Sequence, residues 1–280
     1  MKLEDLIAEA LKKSVRILPE DIEGALRNAE KTEKGEYAKI VLQNIVKDID
    51  ISADSIIPLC QDTGMFWVLV SIGRDAKVSS LSKLEEAIYK GLDKAQQEAY
   101  YRKSVVAEPV FDRPNTKCNL PAVVNYEMVD GSDITISVLN KGFGSENCSG
   151  LTMLNPTAGE EGVIDCVIDM VKHAGGKPCP PMFIGVGIGG TADRACFLAK
   201  KGLVCHKPGL DKRYEELEVK LMKKINELEI GAGGLGGNNT CLDLNIYEEP
   251  THIAGLPVAI SISCWADRKG IVKLEGGFNE

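Results

Sequence analysis

Three of the nine cysteines stand where a regular run of residues gives way to a turn: Cys60 in "CQDTG", Cys179 in "PCPP" and Cys264 in "CWADR". A cysteine next to turn-forming residues is typical of a functional site, whereas a structural cysteine usually lies inside an apolar pattern. The 119 and 85 residues that separate the three exclude a local C-x-x-C zinc knuckle, so a joint site must be assembled by the fold. Three thiolates would suit an iron–sulfur cluster in which one iron has no protein thiolate.

The other six cysteines give weaker signals. Cys166 and Cys196 fall within apolar helical patterns, which predicts burial as small hydrophobic side chains. The patterns leave open the roles of Cys118, Cys148, Cys205 and Cys241. An odd number of cysteines in a chain without secretory features argues against a disulfide framework.

Three glycine-rich segments lie between predicted regular elements: "KGFGSEN" at 141–147, "GVGIGG" at 185–190 and "GAGGLGG" at 231–237. The second lies between a strand and a helix, as in a dinucleotide fold. Its last glycine is one position early for G-x-G-x-x-G, however, and no acidic residue closes the next strand. A packing or anion-binding turn is the favoured interpretation, and a nicotinamide-dependent oxidoreductase is kept as an alternative.

Composition excludes several classes of function. The chain has 280 residues, 44% of them hydrophobic, and a net charge of −8, which argues against broad binding to nucleic acids or anionic membranes. An anionic substrate must therefore meet a local basic pocket. The N-terminal residues lack the apolar core of a signal peptide, and no apolar run approaches membrane-spanning length, so the cytoplasm is the expected compartment.

Hydrophobic periodicity predicts the elements that position these residues. Residues 1 to about 50 show the spacing of two or three helices, and "MFWVLVSI" at 65–72 has the pattern of a buried strand directly after the Cys60 turn. A helix is predicted over 81–101. The runs 122–129 and 133–140, separated by "DGS", predict two strands paired as an antiparallel hairpin.

The second half predicts alternating strands and helices. The ranges are a helix at 159–173, a strand at 182–188, a helix ended by Gly202, a helix at 210–229 and strands near 241–248 and 256–264. The fold class expected from the whole pattern is α/β with mixed sheets and a helical N-terminal segment. Two lobes around the iron–sulfur site are expected, although the pattern does not fix their boundary.

Six segments together resemble the class I, iron–sulfur-dependent fumarases and L-tartrate dehydratases: "PLCQDTGM", "NKGFGSEN", "KPCPP", "GIGGTADRA", "GAGGLGGNNTCLDL" and "HIAGLPVAISISCWADRKG". They occur in order over roughly residues 55 to 270. The resemblance implies a [4Fe–4S] cluster held by Cys60, Cys179 and Cys264. It also implies that the open iron acts as a Lewis acid on the hydroxyl that leaves as water.

The resemblance implies roles for further residues. Gln61 and Asp62 stand beside Cys60 and would contact the substrate, with Asp62 catalytic. Arg102 would grip a substrate carboxylate, for which its planar fork is matched. Gly144 would offer a backbone contact, and Lys141 would add positive potential.

Histidine is scarce, and one of the three matches the family. His252 corresponds to a histidine near the substrate and is assigned a catalytic role by the resemblance. His173 and His206 have no match and are expected to be structural.

The sequence departs from single-chain members of the family, which continue into a second domain with further basic residues and a proposed catalytic threonine. Residues 1–280 therefore resemble one catalytic α-subunit module. A separate β subunit of about 180 to 200 residues, the size of one domain, is expected to complete the active site within an oligomer. The proton-transferring residue is expected on that β subunit.

The resulting hypothesis is an α subunit of a hydro-lyase that converts fumarate to L-malate. Within the same class, dehydration of L(+)-tartrate to oxaloacetate is the alternative, and the sequence does not separate these two small dicarboxylate substrates. From a different class, an iron–sulfur protein without catalytic activity could sense oxidants by losing its labile iron. The absorption spectrum of anaerobically purified protein would separate an iron–sulfur protein from a dinucleotide-binding one.

Overall fold

The computed structural model describes residues 1–279, in which three helices come first and four strands come last, with helices and strands interspersed between them. The helices are α1 Leu3–Ser14, α2 Glu20–Thr32, α3 Glu36–Ala53, α4 Leu81–Glu98, α5 Phe143–Glu146, α6 Gly159–Ala174, α7 Ala192–Gly202 and α8 Lys212–Asn226. The strands are β1 Met65–Gly73, β2 Lys77–Val78, β3 Val123–Val129, β4 Ile134–Lys141, β5 Gly150–Leu154, β6 Met182–Gly190, β7 Cys241–Thr251, β8 Leu256–Ser263, β9 Arg268–Leu274 and β10 Gly277–Phe278. The predicted α/β class with mixed sheets and the helical N-terminal segment are confirmed.

The chain divides into two compact units. The first unit contains residues 1–19, residues 48–142 and the segment from Ala266 onward, and the second contains residues 20–47 and 143–265. Each unit has its own four-stranded sheet and its own apolar core. None of the helices within residues 1–279 combines the length and the apolar character needed to cross a membrane.

In the first unit, the sheet has the order β3-β1-β4-β9, and β1 is a central strand. The apolar run of β1 explains this place, because a strand buried on both faces needs neighbours on both edges. The helices α1 and α4 supply apolar side chains to the same core, among them Ile7, Leu11, Leu84 and Ile88.

The predicted hairpin between 122–129 and 133–140 is wrong, although both strands exist. β1 lies between β3 and β4 and pairs with β3 in parallel and with β4 antiparallel. The connecting turn binds the end of β1 instead, because Gly73 N donates to Asp133 O at 2.8 Å and Asp75 N donates to Gly131 O at 3.0 Å. The more apolar β1 displaces the local pairing that the Asp-Gly turn favours.

In the second unit, the sheet has the order β5-β8-β6-β7, with β6 parallel to β7 and antiparallel to β8. The helices α6 and α8 contribute Val167, Val171 and Leu221 to the core of this sheet. α7 joins β6 to α8 and packs on β6 through small side chains, including Ala195 and Ala199.

The "GVGIGG" glycines are accounted for by this packing. A Cβ on Gly185 would lie 1.9 Å from Ala199 O, and a Cβ on Gly187 would lie 2.0 Å from Ala195 O. No real Cβ tolerates such a distance, so these glycines let the backbone of α7 rest directly on β6. The packing interpretation of this segment, favoured over a dinucleotide site, agrees with that geometry.

Candidate active site

Cys60 lies on a loop of the first unit that leads into β1. Leu59, which is buried, donates its N–H to Val15 O at 2.9 Å and fixes the loop against the end of α1. The half-buried Cys60 thiol donates to Gln61 Oε1 at 3.7 Å, and Gly64 N donates to Asp62 Oδ1 at 3.1 Å. The predicted turn after Cys60 is therefore closed by its own aspartate.

Thr63 connects this turn to Arg102. The Thr63 side chain is buried, and its Oγ1 accepts the N–H of Arg102 at 2.9 Å. Arg102 is exposed and follows directly on Tyr101, which anchors the core. The structure thus brings Arg102 to the Cys60 turn, and Thr63 is a site residue that the sequence analysis missed.

Arg268 is a second residue that the sequence analysis missed. It is 1% exposed, and its Nη2 donates to Asp62 O at 2.7 Å. Within residues 1–279, the Nη1 atom of this arginine has no hydrogen-bond partner. In β9 the buried positions are 268, 270 and 272, and this alternation is the pattern from which the burial of Arg268 could have been predicted.

Lys141, at the end of β4, is also buried, with 3% exposure. The next residue is Gly142. A Cβ added to Gly142 would lie 3.4 Å from Asp62 Oδ2 and 3.9 Å from Arg268 Nη2. Two buried cations therefore accompany the Asp62 turn in a chain whose net charge is −8. This part of the first unit meets the expectation of a local basic region.

Tyr101 stabilises the same region through buried hydrogen bonds. Burial raises the pKa of the Tyr101 phenol, which the positive charge of Arg268 partly opposes. The phenol stays protonated and donates to Asn140 Oδ1 at 3.1 Å, and Asn140 Nδ2 donates to Ser14 Oγ at 2.8 Å. These buried hydrogen bonds fix the end of β4 next to Lys141.

In the second unit, Cys179 and Cys264 meet at one end of the sheet. Phe183 of β6 is paired with Ser263 of β8, so the residues before β6 and after β8 leave the sheet side by side. Trp265 N donates to Cys179 O at 3.3 Å. Cys179 is exposed and Cys264 is half-buried, so neither thiol is packed into the core.

Gly144 lies near the same turn. A Cβ on Gly144 would come within 3.8 Å of Lys177 O, two residues before Cys179. Gly144 thus lies close to the segment that leads to Cys179, and its backbone contact with the substrate stays a prediction.

His252 lies at the opposite end of this sheet from Cys179 and Cys264. It belongs to the exposed loop between β7 and β8, and its Nδ1 accepts the N–H of Ala254 at 3.2 Å. The eight residues of β8 separate that loop from Cys264 by roughly 25 Å at the usual rise per strand residue. The structure does not bring His252 to the two cysteines, and its catalytic role stays a prediction.

The remaining cysteines differ in exposure. The predicted burial of Cys196 is wrong, because this residue lies on the exposed side of α7, and Cys166 is half-buried beside a cavity of about 650 Å³. The helical pattern of α7 misled the prediction, because the buried residues of this helix are Ala195, Leu198, Ala199 and Gly202 instead. Cys241 is buried, and burial raises the pKa of its thiol.

The residues present fit an iron–sulfur cluster in their chemistry. Cys179 and Cys264 offer two thiols on turns at one sheet end, and Cys60 offers a third on a turn of the first unit. Within residues 1–279, no group of three or more His, Cys, Asp or Glu side chains is close enough to hold a metal ion by itself. That Cys60, Cys179 and Cys264 hold such a cluster together stays a prediction.

Comparison with known proteins gives a consistent result. Residues 4–273 match the sequence model of the family described as Fumarate hydratase (Fumerase). A Methanocaldococcus jannaschii protein, provisionally named L(+)-tartrate dehydratase subunit alpha, is 42% identical over 98% of this chain and 98% of its own length. L(+)-tartrate dehydratase subunit alpha of Escherichia coli strain UTI89 is 28% identical over 98% of this chain and 91% of its own length. The protein of the same name from Shigella sonnei strain Ss046 is 28% identical over 96% of this chain and 89% of its own length.

Proposed function

Because this chain belongs to the fumarate hydratase family and is a hydro-lyase, we propose that it is the α subunit of an iron–sulfur enzyme acting on a four-carbon dicarboxylate. The first candidate reaction is the reversible hydration of fumarate to L-malate. The enzyme is placed in the cytoplasm, where reducing conditions keep thiols available as ligands.

The proposed cofactor is a [4Fe–4S] cluster on Cys60, Cys179 and Cys264. When bound, it supplies an iron without a protein thiolate, which acts as a Lewis acid on the hydroxyl that leaves as water. The observation that carries this proposal is the hydrogen bond from Trp265 N to Cys179 O, which joins the turns of two cysteines 85 residues apart. Two cysteines of the second unit can bind the same cluster only if their turns lie together in this way.

The chain's own residues would bind and orient the substrate. Arg102 would take one carboxylate in its planar fork, with its backbone held by Thr63. Lys141 would add positive potential, Gln61 would donate to a substrate oxygen, and Gly144 would offer its N–H. Asp62, whose position is fixed by Gly64 and Arg268, is proposed to contact the substrate through its carboxylate as a catalytic residue.

Dehydration of L(+)-tartrate to oxaloacetate is the second candidate. The specific observation in its favour is that relatives matching nearly the whole chain carry the name L(+)-tartrate dehydratase subunit alpha. The same name supports a separate β subunit, which we propose completes the active site and supplies the proton-transferring residue. An assembly containing both subunits is therefore the proposed enzyme.

The test is anaerobic co-expression with the β subunit, followed by parallel assays on fumarate, L-malate and L(+)-tartrate. Arg102→Met should abolish most of the activity, because the substrate loses a carboxylate partner. Arg113→Met is the matched control, since Arg113 is also exposed and lies eleven residues further on. Equal activity of both variants would reject the role of Arg102, and absence of turnover on all three substrates would reject the proposed reaction.

A further inference from the structure

Glu33, at the end of α2 in the second unit, is a buried carboxylate with an unusual number of donors. It is 5% exposed, and its Oε1 accepts N–H groups from Lys34 and Gly35 at 2.8 Å and from Asn238 at 3.0 Å. Its Oε2 accepts from Asn239 N at 3.2 Å and from Asn239 Nδ2 at 2.9 Å. One carboxylate thus receives five hydrogen bonds, four of them from backbone groups.

The charge of Glu33 is maintained in this environment. Burial by itself raises the pKa of Glu33, but hydrogen bonds from Gly35, Asn239 and Asn238 outweigh it and lower the pKa below the ordinary value. The carboxylate is therefore ionised at neutral pH, when backbone N–H groups bind it most strongly.

The segment that Glu33 binds is the glycine-rich "GAGGLGG" loop with the two asparagines after it. Gly237 has a φ of 122°, and a Cβ there would lie 2.5 Å from Glu33 Oε1. The loop backbone consequently rests directly on the carboxylate, and glycine is required for that approach.

The far side of the same loop contacts the turn that carries Cys179. Gly233 N donates to Pro180 O at 2.8 Å, and a Cβ on Gly234 would lie 2.7 Å from Gly176 Cα. Cys179 itself has a φ of 55°, which is uncommon for a residue with a Cβ and persists only where the surrounding structure enforces it. The glycine loop is one of the elements that enforce it.

We propose that Glu33 is a positioning residue for Cys179, acting through residues 231–239 to hold the Cys179 turn in its ligand-bearing conformation. This inference rests on the proposed function, in which Cys179 is a cluster ligand. Glu33 would act on Cys179 indirectly, through its hydrogen bonds to the loop and the packing of the loop backbone on residues 176–180. Partners of metal ligands commonly affect metal affinity by about 10- to 100-fold when they are removed.

The experiment compares Glu33→Gln with wild type in the full chain by two measurements. The first is backbone hydrogen exchange of the metal-free protein, in which residues 176–182 and 231–240 should exchange faster while the interior of β8 is unchanged. The second is retention of iron against a chelator after anaerobic reconstitution with ferrous iron and sulfide. Glu33→Gln should bind iron about 10-fold more weakly.

Glu36→Gln is the matched control, because Glu36 is exposed three residues further on at the start of α3. If Glu33→Gln does not fold, Asn239→Ala removes one of the five hydrogen bonds and should give a smaller change in the same direction. Unchanged exchange would overturn the inference, as would faster exchange with wild-type retention of iron. Wild-type chain that takes up no iron would instead overturn the proposed cofactor, while the exchange data still decide whether Glu33 holds the turn.

Discussion

Arg268 is the residue at which burial and charge conflict most strongly in the first unit. A buried guanidinium is costly unless its donors are satisfied, and this one donates to Asp62 O and, at 3.3 Å, to Ala266 O. Its hydrogen bond to Asp62 O ties β9 to the Asp62 backbone. Arg268 holds the turn that follows Cys60, including Asp62, the residue proposed to contact the substrate.

Thr63 allows a direct test of how this turn positions Arg102. Thr63→Val should lower the free energy of unfolding by about 1 kcal/mol and raise the KM for the dicarboxylate more than it lowers kcat, because the Arg102 backbone loses its acceptor. Denaturant unfolding and steady-state kinetics measure the two effects. Thr63→Ser keeps the hydroxyl and should behave as wild type, and an equal rise in KM for both variants would contradict the role of this hydrogen bond.

The proposed ligands are tested one residue at a time. Cys60→Ser, Cys179→Ser and Cys264→Ser should each lower the iron bound per chain sharply, because a serine hydroxyl does not replace a thiolate as a ligand. Iron analysis after anaerobic reconstitution gives the result. Cys196→Ser is the control, since Cys196 is exposed on α7, and similar loss of iron in this variant would rule out the specific assignment.

Residue types and turn chemistry singled out three cysteines as candidate ligands, which stays a prediction, but they did not reveal the side chains that bind the neighbouring backbone. Cys60, Cys179 and Cys264 were identifiable because a cysteine beside turn residues is unusual. Thr63 and Glu33 were not, because Thr63 binds Arg102, 39 positions away in the sequence, and the loop that Glu33 binds is reached at Asn238, 205 positions away. Only the folded backbone shows such hydrogen bonds.

Among the elements, α7 and β6 show how strictly the backbone can determine a sequence. Gly187→Ala should destabilise the protein by about 1–3 kcal/mol, because a Cβ there meets Ala195 O and the helix must move away. The urea midpoint of unfolding measures this. Gly24→Ala in α2, where no atom lies within 4 Å of the added Cβ, should instead stabilise by up to about 1 kcal/mol through helix propensity. Equal effects of the two substitutions would contradict the packing argument.

Local patterns predicted most elements and failed at their pairing. The strands β1, β3, β4, β6, β7 and β8 all lie where alternation or apolar runs indicated. The hairpin failed because a turn signal reports only on its neighbours, whereas β1 competes for both strands through its greater burial. β5 and β9 were not predicted, because β5 has only five residues and because the alternation of β9 begins with a buried arginine, a residue type that usually marks an exposed position.

For the whole molecule, the proposed enzyme requires a second chain. The α chain alone should be nearly inactive, and titration with purified β subunit under anaerobic conditions should raise the rate on the order of 10²-fold or more, because the β subunit brings the acid–base group. The absorbance of the fumarate double bond follows the reaction. A rate for α alone within about twofold of the mixture would show that this chain is a complete enzyme.

The division of the first unit among three chain segments has a consequence for biosynthesis. The second unit has all four strands of its sheet within residues 143–265, so that sheet can form as soon as this stretch has left the ribosome. The sheet of the first unit cannot be completed at that stage, because β4 pairs with β9 and Arg268 of β9 binds the Asp62 backbone. Only after translation has passed Leu274 can β9 pair with β4 and Arg268 bind the Cys60 turn. A nascent chain would therefore present Cys60 on a turn that Arg268 does not yet hold, and insertion of the proposed cofactor should follow translation rather than accompany it.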